Sequence, residues 1–397
     1  MRTILLLSLM WCTSLCVTAQ QTAEIKPYTD YLSSTRPLSA KEYIFSLFQD
    51  HDIVVLCERD HRDLTQYHLI LDVLRDPYFI EHVGVLFNEV GSRSLNPALN
   101  TFIKTDGLTR EEVDKRILDF RRNMYFYPTW PNYNWTYLAN GIYDINRSLP
   151  PHKKLDWYPC DIAFDTREAS EESLAQSYQQ FDGTCRDSLM ADYILRTFKQ
   201  LKEKNPARKA LVIMNYRHAF SPGYRRHADE KAANTARYLF EAFPHRCANV
   251  FINFFALAEI KSDTDMSIAP VQNGKWDAAF HKTGLRDIGF HLKGSPFGKD
   301  SFDLDHRACA GTTYQDVFTG YVFYRPISEF EIVTGIPHIA EDGFADEYAR
   351  REELYHRIYR TENPRQARQS ILNLNTKQTR QEDFLEELTR PIQQWLK

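Results

Sequence analysis

The chain has 397 residues, of which 43% are hydrophobic and 13% aromatic, with 15 glycines and a formal net charge of −4. This length is sufficient for one large or two modest domains with a buried core, and the composition excludes an intrinsically disordered protein. A nucleic-acid-binding surface normally carries a basic excess, which is missing here, so we expect no nucleic-acid partner.

The first residues, 1–19, have the pattern of a secretory signal peptide. Arg2 supplies the positive charge, an apolar run starts at Ile4, and short residues at 17–19 precede the expected cleavage point. The apolar run is shorter than the roughly 20 residues of a membrane span. We therefore expect a protein exported to the periplasm or the extracellular space, with no transmembrane segment after cleavage. A lipid anchor is the weaker alternative.

Removal of the signal peptide leaves an odd number of cysteines. An oxidising compartment favours disulfides, so at least one thiol should be free or paired between chains. Cys57 and Cys160 each follow an apolar run and precede an acidic residue, which favours buried packing over a catalytic role. The five cysteines are Cys57, Cys160, Cys185, Cys247 and Cys309.

Six short runs are apolar throughout and rich in β-branched or aromatic residues. Such runs are typical of strands covered on both faces, and helical stretches separate them. We expect an α/β fold with a mainly parallel sheet flanked by helices and a site at the carboxyl ends of the strands. The runs are "IVVLC" (53–57), "VGVLFNE" (83–89), "LDWYPCD" (155–161), "ALVIMNY" (210–216), "NVFINFFAL" (249–257) and "GYVFY" (320–324).

The composition changes after about residue 340. Residues 20–340 are predicted to form the α/β domain, whereas residues 341–397 are charged and poor in strand formers. We interpret the latter as a C-terminal extension of solvated surface helices without catalytic residues. Within the domain, helices are predicted at 63–74, 110–122, 186–204 and 229–243.

Titratable side chains follow four of the predicted strands, and the carboxyl ends of parallel strands meet at one edge of a sheet. Asp60 and Asp63 could each be a helix cap and have no further role. For Asp161, a cap or loop hydrogen bond and a functional role are equally favoured. The residues at these strand ends are Glu58, Asp60 and His61, then Glu89, Asp161, and finally Arg217 and His218.

Glu58 and His61 are three residues apart at a predicted helix entry, so both side chains can point to one side. The helix N-terminus disfavours an imidazolium, and we expect His61 to stay neutral as a base or ligand. Glu89 is expected to end its strand half-buried, where a carboxylate needs a partner. His61 or an arginine such as Arg62 or Arg93 is predicted to supply it.

Several common catalytic motifs are missing from the sequence. It contains no G-x-S-x-G, no P-loop, no G-x-G-x-x-G and no H-E-x-x-H, which removes the main support for serine hydrolase, NTPase, dinucleotide-binding and zincin functions. Acid–base chemistry on water, or metal binding, by carboxylates and histidines remains.

The segments "VVLCERDHRD", "VLFNEVG" and "VIMNYRHAF" resemble the erythromycin-esterase-like and ChaN/Tiki-like superfamily, with further likeness in "IGFHLKGSPFG" and "YQDVFTGYVFYRPI". Cys57 stands where the family usually has glycine. The superfamily includes esterase-like hydrolases, metal-dependent proteases and haem- or iron-associated proteins. Carried over residue by residue, the resemblance implies a site of Glu58, His61, Glu89 and His218, with His291 a weaker member.

Two further segments bear on ligand binding. The aromatic segment 124–143 is interrupted by prolines; it is predicted either to cover the strand ends as a lid or to pack on itself. The sequence "GKDSFDLDHRA" groups Asp300, Asp303, Asp305 and His306, but it lacks the ligand order of a calcium loop. We favour an ordinary polar loop there.

The favoured hypothesis is an exported hydrolase of an ester, lactone or amide, acting on a small molecule or a peptide. His61, held by Glu58 or Glu89, would take a proton from water, and Arg62 or His218 would stabilise the oxyanion. One alternative places a divalent metal on Glu58, His61, Glu89 and His218 in a peptidase-like hydrolase. Another is a non-catalytic protein that binds haem, a metal or a hydrophobic ligand.

Overall fold

A computed structural model describes residues 23–124, 132–164, 166–167, 170–182, 186–222, 234–262, 265–305, 311–359, 379–380 and 383–397. The chain divides into two compact units. Of the described residues, those within 44–250 and 331–380 form the larger unit, and those within 23–43, 251–330 and 383–397 form the smaller unit.

The strands are β1 (Leu38–Ser39), β2 (Ile53–Glu58), β3 (Val85–Ser92), β4 (Asp156–Asp161), β5 (Ala210–Asn215), β6 (Cys247–Ile252), β7 (Phe255–Ser262), β8 (Asp265–Pro270), β9 (Ile288–His291), β10 (Gly320–Phe323), β11 (Val333–Thr334) and β12 (Thr379–Arg380). The helices are α1 (23–34), α2 (Ala40–Asp50), α3 (Thr65–Leu74), α4 (Pro77–His82), α5 (Asn96–Ile103), α6 (Arg110–Asn123), α7 (Asn134–Asn146), α8 (Glu171–Asp182), α9 (Arg186–Lys204), α10 (Thr235–Ala242), α11 (Lys275–Thr283), α12 (Pro296–Lys299), α13 (Tyr314–Val317), α14 (Phe344–Tyr359) and α15 (Asp383–Leu396).

The larger unit contains the parallel strands β2, β5, β3 and β4, in that order across the sheet. The pairings of β2 with β5, β5 with β3 and β3 with β4 are all parallel. Helices α5 and α9 pack against β4, and every residue of β2 is buried, as its unbroken apolar sequence predicts. The predicted α/β class with a mainly parallel, helix-flanked sheet is confirmed.

The register of β2 and β5 places the two strand ends side by side. Glu58, the last residue of β2, is the partner of Asn215, the last residue of β5. The register of β3 against β4 shifts between Asn88 and Ser92, and irregular strand segments of this kind re-aim individual side chains. Gly91 is required in this stretch, because its φ is +122° and an added Cβ would lie 2.8 Å from Pro159.

In the smaller unit, β9 pairs antiparallel with both β1 and β10, and β7 pairs antiparallel with β8. The run predicted as one strand over 249–257 is divided between β6 and β7. The break lies at Asn253, whose backbone N–H donates to Val322 and whose side chain donates to the carbonyl of Arg325. The two-residue strands β1, β11 and β12 were not predicted, because two residues show no periodicity.

The predicted helix over 186–204 is confirmed at both ends. The helix predicted from residue 63 begins two residues later, at Thr65. The helix predicted over 229–243 is described only from residue 234 onwards. There Asn234 caps α10 by accepting a hydrogen bond from the Arg237 N–H.

The described residues after 340 belong partly to the larger unit and partly to the smaller unit. The prediction of a solvated extension is wrong for α15, because Leu388 and Ile392 are buried. This helix packs against α11, and the indole of Trp395 donates to the carbonyl of Asn273.

Cys57, Cys160 and Cys247 are buried free thiols, as predicted for the first two. Cys185 and Cys309 lie outside the described residues, as do residues 1–22 with the predicted signal peptide. None of the helices in the described ranges has the length and apolar character needed to cross a membrane.

Candidate active site

Glu58 is the centre of a buried hydrogen-bond cluster at the end of β2, where its side chain is 2% exposed. One oxygen, Oε1, accepts hydrogen bonds from three side chains. The donors are the Tyr67 hydroxyl at 2.5 Å, the Asn134 amide at 3.0 Å and His61 Nδ1 at 3.0 Å. These donors compensate the cost of burying the charge and fix the orientation of the carboxylate.

His61 lies in the turn between β2 and α3, and its side chain is 21% exposed. Burial lowers the pKa of His61, but the charge and hydrogen bond of Glu58, with the charges of Glu89 and Asp60, outweigh it and raise the pKa to about 9. The expectation that a helix N-terminus keeps His61 neutral is therefore wrong. Helix α3 begins four residues later, at Thr65, and the neighbouring carboxylates dominate.

Glu89 was predicted to end its strand half-buried. It lies inside β3 instead, where it is buried. Its two oxygens accept from the Arg186 guanidinium and from the Asn215 backbone N–H, both at 2.9 Å. Burial alone would raise the pKa of Glu89, but His218, Arg186 and His61 lower it to about 2. The predicted partners Arg62 and Arg93 are both elsewhere, because Arg62 binds Asp60 and Arg93 donates to the Leu189 carbonyl.

His218 follows β5 in the short helix Tyr216–Ala219, and its side chain is 5% exposed. Its Nδ1 lies 2.7 Å from Asp187 Oδ1. Its Nε2 lies 3.3 Å from Arg186 and 3.5 Å from Glu89 Oε1. The structure thus places His218 beside Glu89, as the order of the strands predicts.

Arg186 binds both Glu89 and Asp161, a role that was not predicted from the sequence. Its guanidinium donates two hydrogen bonds to Asp161, at 3.1 and 2.9 Å, and one to Glu89. Asp161 therefore belongs to the site and not to a helix cap. Arg186 and Asp187 are the first two residues of α9. Charged residues in a first helical turn are ordinarily exposed, so the sequence alone does not indicate that these two belong to a buried site.

The other charged residues of the "ERDHRD" segment serve the turn. Asp63 accepts from the Thr65 N–H at 2.8 Å and pairs with buried Arg59. The N-cap of α3 is Leu64, without a side-chain cap hydrogen bond, so the predicted capping role of Asp63 is not confirmed. Asp60 accepts from the backbone N–H of Arg62 and from its guanidinium, both at 2.8 Å. Arg62 is thus held by Asp60, with 30% of its side chain exposed.

His291 belongs to the smaller unit, where it ends β9 and its Nδ1 lies 3.3 Å from the Tyr43 hydroxyl. Asp300 and Asp303, of the acidic segment in the same unit, accept hydrogen bonds from neighbouring side chains, in agreement with the ordinary polar loop favoured from the sequence. Asp300 accepts from the indole of Trp276, and Asp303 accepts from Tyr314. His306 lies outside the described residues.

The aromatic segment contributes to the core from residue 132 onwards. Helix α7 is regular, and its Trp135 is 2% exposed and lies 5.1 Å from Trp157, centroid to centroid. A lid is therefore wrong for this part of the segment. Residues 125–131, with Tyr125, Phe126, Tyr127 and Trp130, lie outside the described residues.

Glu58, His61 and Glu89 offer three ligand atoms that all lie within 4.8 Å of one another. Two carboxylates and an imidazole suit Mn²⁺, Fe²⁺ or Zn²⁺ in ligand type. His218, the predicted fourth ligand, does not fit as well, because its Nε2 faces the Arg186 guanidinium.

No protein-family model and no curated protein matches this sequence. Solved structures similar to it at 11% identity include a succinoglycan biosynthesis protein, with a TM-score of 0.48 over 77% of this chain and 97% of the other. A mutant of the erythromycin esterase EreC in its open conformation has a TM-score of 0.45, over 70% and 92%. A Bacillus cereus protein has 0.43, over 75% and 96%.

Proposed function

We propose that this chain is a hydrolase of the erythromycin-esterase-like superfamily that cleaves an ester, lactone or amide by activating water with His61. The pairing of His61 Nδ1 with the buried Glu58 carboxylate, at 3.0 Å, carries the proposal. A carboxylate on one ring nitrogen fixes the imidazole and makes it more basic, which is the arrangement of general-base histidines.

In the proposed reaction the imidazole takes one proton from water as the water oxygen bonds to the carbonyl carbon. The imidazolium that results is stabilised by Glu58, its hydrogen-bond partner, and by the nearby charge of Glu89. It then returns the proton to the leaving oxygen or nitrogen as the bond to the carbonyl carbon breaks. The partial exposure of His61 allows water to approach the ring.

Arg62 is the better candidate for stabilising the oxyanion. The sequence offered Arg62 and His218 for this role, and the exposed fractions of their side chains are 30% and 5%. A substrate carbonyl can approach the first more readily. A guanidinium that donates to the developing oxyanion lowers the barrier more than it favours the bound ester.

A panel of activated esters, lactones and amides tests the proposal. We expect His61→Ala to lower kcat by about 10²- to 10⁴-fold, the usual contribution of a general base. His152→Ala, an exposed histidine of the same unit, is the matched control and should retain wild-type turnover. Equal turnover of His61→Ala and wild type on every hydrolysed substrate would refute the proposal.

A metal-dependent hydrolase is the second candidate, favoured by the three ligand atoms within 4.8 Å of one another. Glu58, His61 and Glu89 would hold the ion, which would lower the pKa of a bound water. Glu58 already accepts hydrogen bonds from Tyr67 and Asn134, and Glu89 accepts from Arg186 and the Asn215 N–H. Elemental analysis with activity before and after chelation separates the two candidates.

We also propose export of the chain, on the charge and apolar pattern of residues 1–19. Expression of the full chain in a bacterial host tests this. The mature protein should be recovered from the periplasm or medium with its N-terminus near residue 20. Recovery of the uncleaved chain only from the cytoplasm would refute export.

A further inference from the structure

We propose that Asp187 is a positioning residue of this hydrolase, acting through His218 to hold Glu89 beside the Glu58–His61 pair. The proposal rests on the proposed function for its kinetic consequence, but its geometric basis is independent. Neither Asp187 nor its contacts were suggested by the sequence.

The Asp187 carboxylate is fixed by three hydrogen bonds to one oxygen. Oδ1 accepts from the Thr235 backbone N–H at 2.7 Å and from the Thr235 hydroxyl at 2.8 Å. The same oxygen lies 2.7 Å from His218 Nδ1. Thr235 begins α10 and Asp187 lies in the first turn of α9. The carboxylate is therefore fixed by both helices, and rotation of the His218 ring would break its hydrogen bond to Asp187.

This contact determines the orientation and the tautomer of His218. A carboxylate only accepts, so Nδ1 of His218 must carry the hydrogen. In the neutral ring Nε2 then accepts from Arg186 at 3.3 Å, and in the protonated ring it can donate to Glu89 at 3.5 Å. In either state Nε2 is directed at the same two residues.

Glu89 receives its orientation from this arrangement. Arg186 and His218 lie on its Oε1, and the Asn215 N–H binds Oε2. The carboxylate is thereby held among the three ligand atoms that lie within 4.8 Å of one another. At 5% exposure, the His218 side chain is too buried to be reached readily by a substrate, which makes it a positioning group rather than a catalytic one.

Nitrogen-15 NMR of the histidine rings, with kinetics of the same samples, tests the proposal. In wild type we expect a protected proton on Nδ1 of His218, assigned by its loss in His218→Ala. Asp187→Ala should lose this signal and lower kcat by roughly 10- to 100-fold with KM within about 2-fold, the scale seen when an outer orienting carboxylate is removed. Asp187→Asn retains an acceptor oxygen and should restore the Nδ1 proton and part of kcat.

Asp192→Ala is the matched control, because Asp192 lies on the same helix with its side chain 52% exposed, paired with Arg196. It should keep both the signal and kcat. A neutral His218 with its proton on Nε2 in wild type, or wild-type kcat in Asp187→Ala, would overturn the proposal. If Asp187→Ala does not fold, the wild-type spectrum still tests the proposal, which requires the proton on Nδ1 of His218 and fails if a neutral ring carries it on Nε2. If wild type hydrolyses nothing, the proposed function fails while the NMR result stands by itself.

Discussion

Tyr67 and His61 donate to the same oxygen of Glu58, at 2.5 and 3.0 Å, so the imidazole is held by a carboxylate that is itself held by a buried phenol. Burial and the Glu58 charge raise the pKa of Tyr67, which therefore stays protonated and remains a donor. The orientation of His61 thus depends on a residue in α3 as well as on β2.

The pH dependence of hydrolysis should follow His61. Its pKa is about 9 because Glu58, Glu89 and Asp60 outweigh the effect of burial, so the neutral base is the minor form at neutral pH. We expect kcat/KM to rise with pH, with an inflection near pH 9 and a plateau above it, after subtraction of the hydroxide reaction. Glu58→Gln removes the strongest of these charges and should move the inflection down towards the ordinary value of 6.5. An inflection that stays in place in this variant would be inconsistent with the assignment.

Stability should depend on Glu89 at acid pH. Folding lowers the pKa of this carboxyl from 4.5 to about 2, so its contribution is present above pH 4.5 and is lost as the pH falls through about 2. We expect Glu89→Gln to lower the free energy of unfolding by about 3 kcal/mol at neutral pH, and by less as the pH falls. Denaturant unfolding measures this, with the exposed Glu111→Gln as control. A loss independent of pH would contradict it.

Tyr67→Phe should weaken the support of Glu58 without abolishing the site. The change leaves Asn134 and His61 as donors and removes one hydrogen bond to a buried charge, which costs about 1.5–3 kcal/mol. We expect this loss in denaturant unfolding. Tyr143→Phe, a buried tyrosine stacked on Phe102, is the matched control. An equal effect of the two substitutions would show that the phenol does not support the carboxylate.

Arg186→Met should be among the most destabilising single substitutions in the larger unit. It leaves Glu89 and Asp161 buried without the guanidinium that binds both, and a buried charge that loses its partner costs about 3–5 kcal/mol. Arg196→Met, an exposed position on the same helix, should change the unfolding free energy by less than about 0.5 kcal/mol. Thermal and denaturant unfolding give the comparison, and similar values for the two variants would refute the structural role of Arg186.

The pairing of Glu58 with His61 could be predicted because its determinants are local. An apolar run buried on both faces defines β2, and the two residues follow within one turn. The position of His218 also followed from the sequence, since parallel strands bring their carboxyl ends to one edge.

The partners of Glu89 could not be predicted in the same way. Arg62 and Arg93 are near it in sequence, whereas Arg186 lies 97 residues away and reaches it only through the packing of α9 on β4. The prediction that His61 stays neutral failed for a related reason. Its pKa depends on a carboxylate in another strand as well as on the adjacent helix, and only the three-dimensional arrangement brings Glu89 close.

Single-turnover hydrolysis of an ester in ¹⁸O-labelled water tests most directly whether His61, held by Glu58, activates water. Direct attack by water predicts one ¹⁸O atom in the acid product from the first turnover and none in the protein. If a protein carboxylate were the nucleophile, it would form an anhydride with the acyl group, and water cleaving that anhydride at the protein carbonyl would release unlabelled acid and leave ¹⁸O in Glu58 or Glu89 within the first turnover. That result would contradict the proposed role of His61.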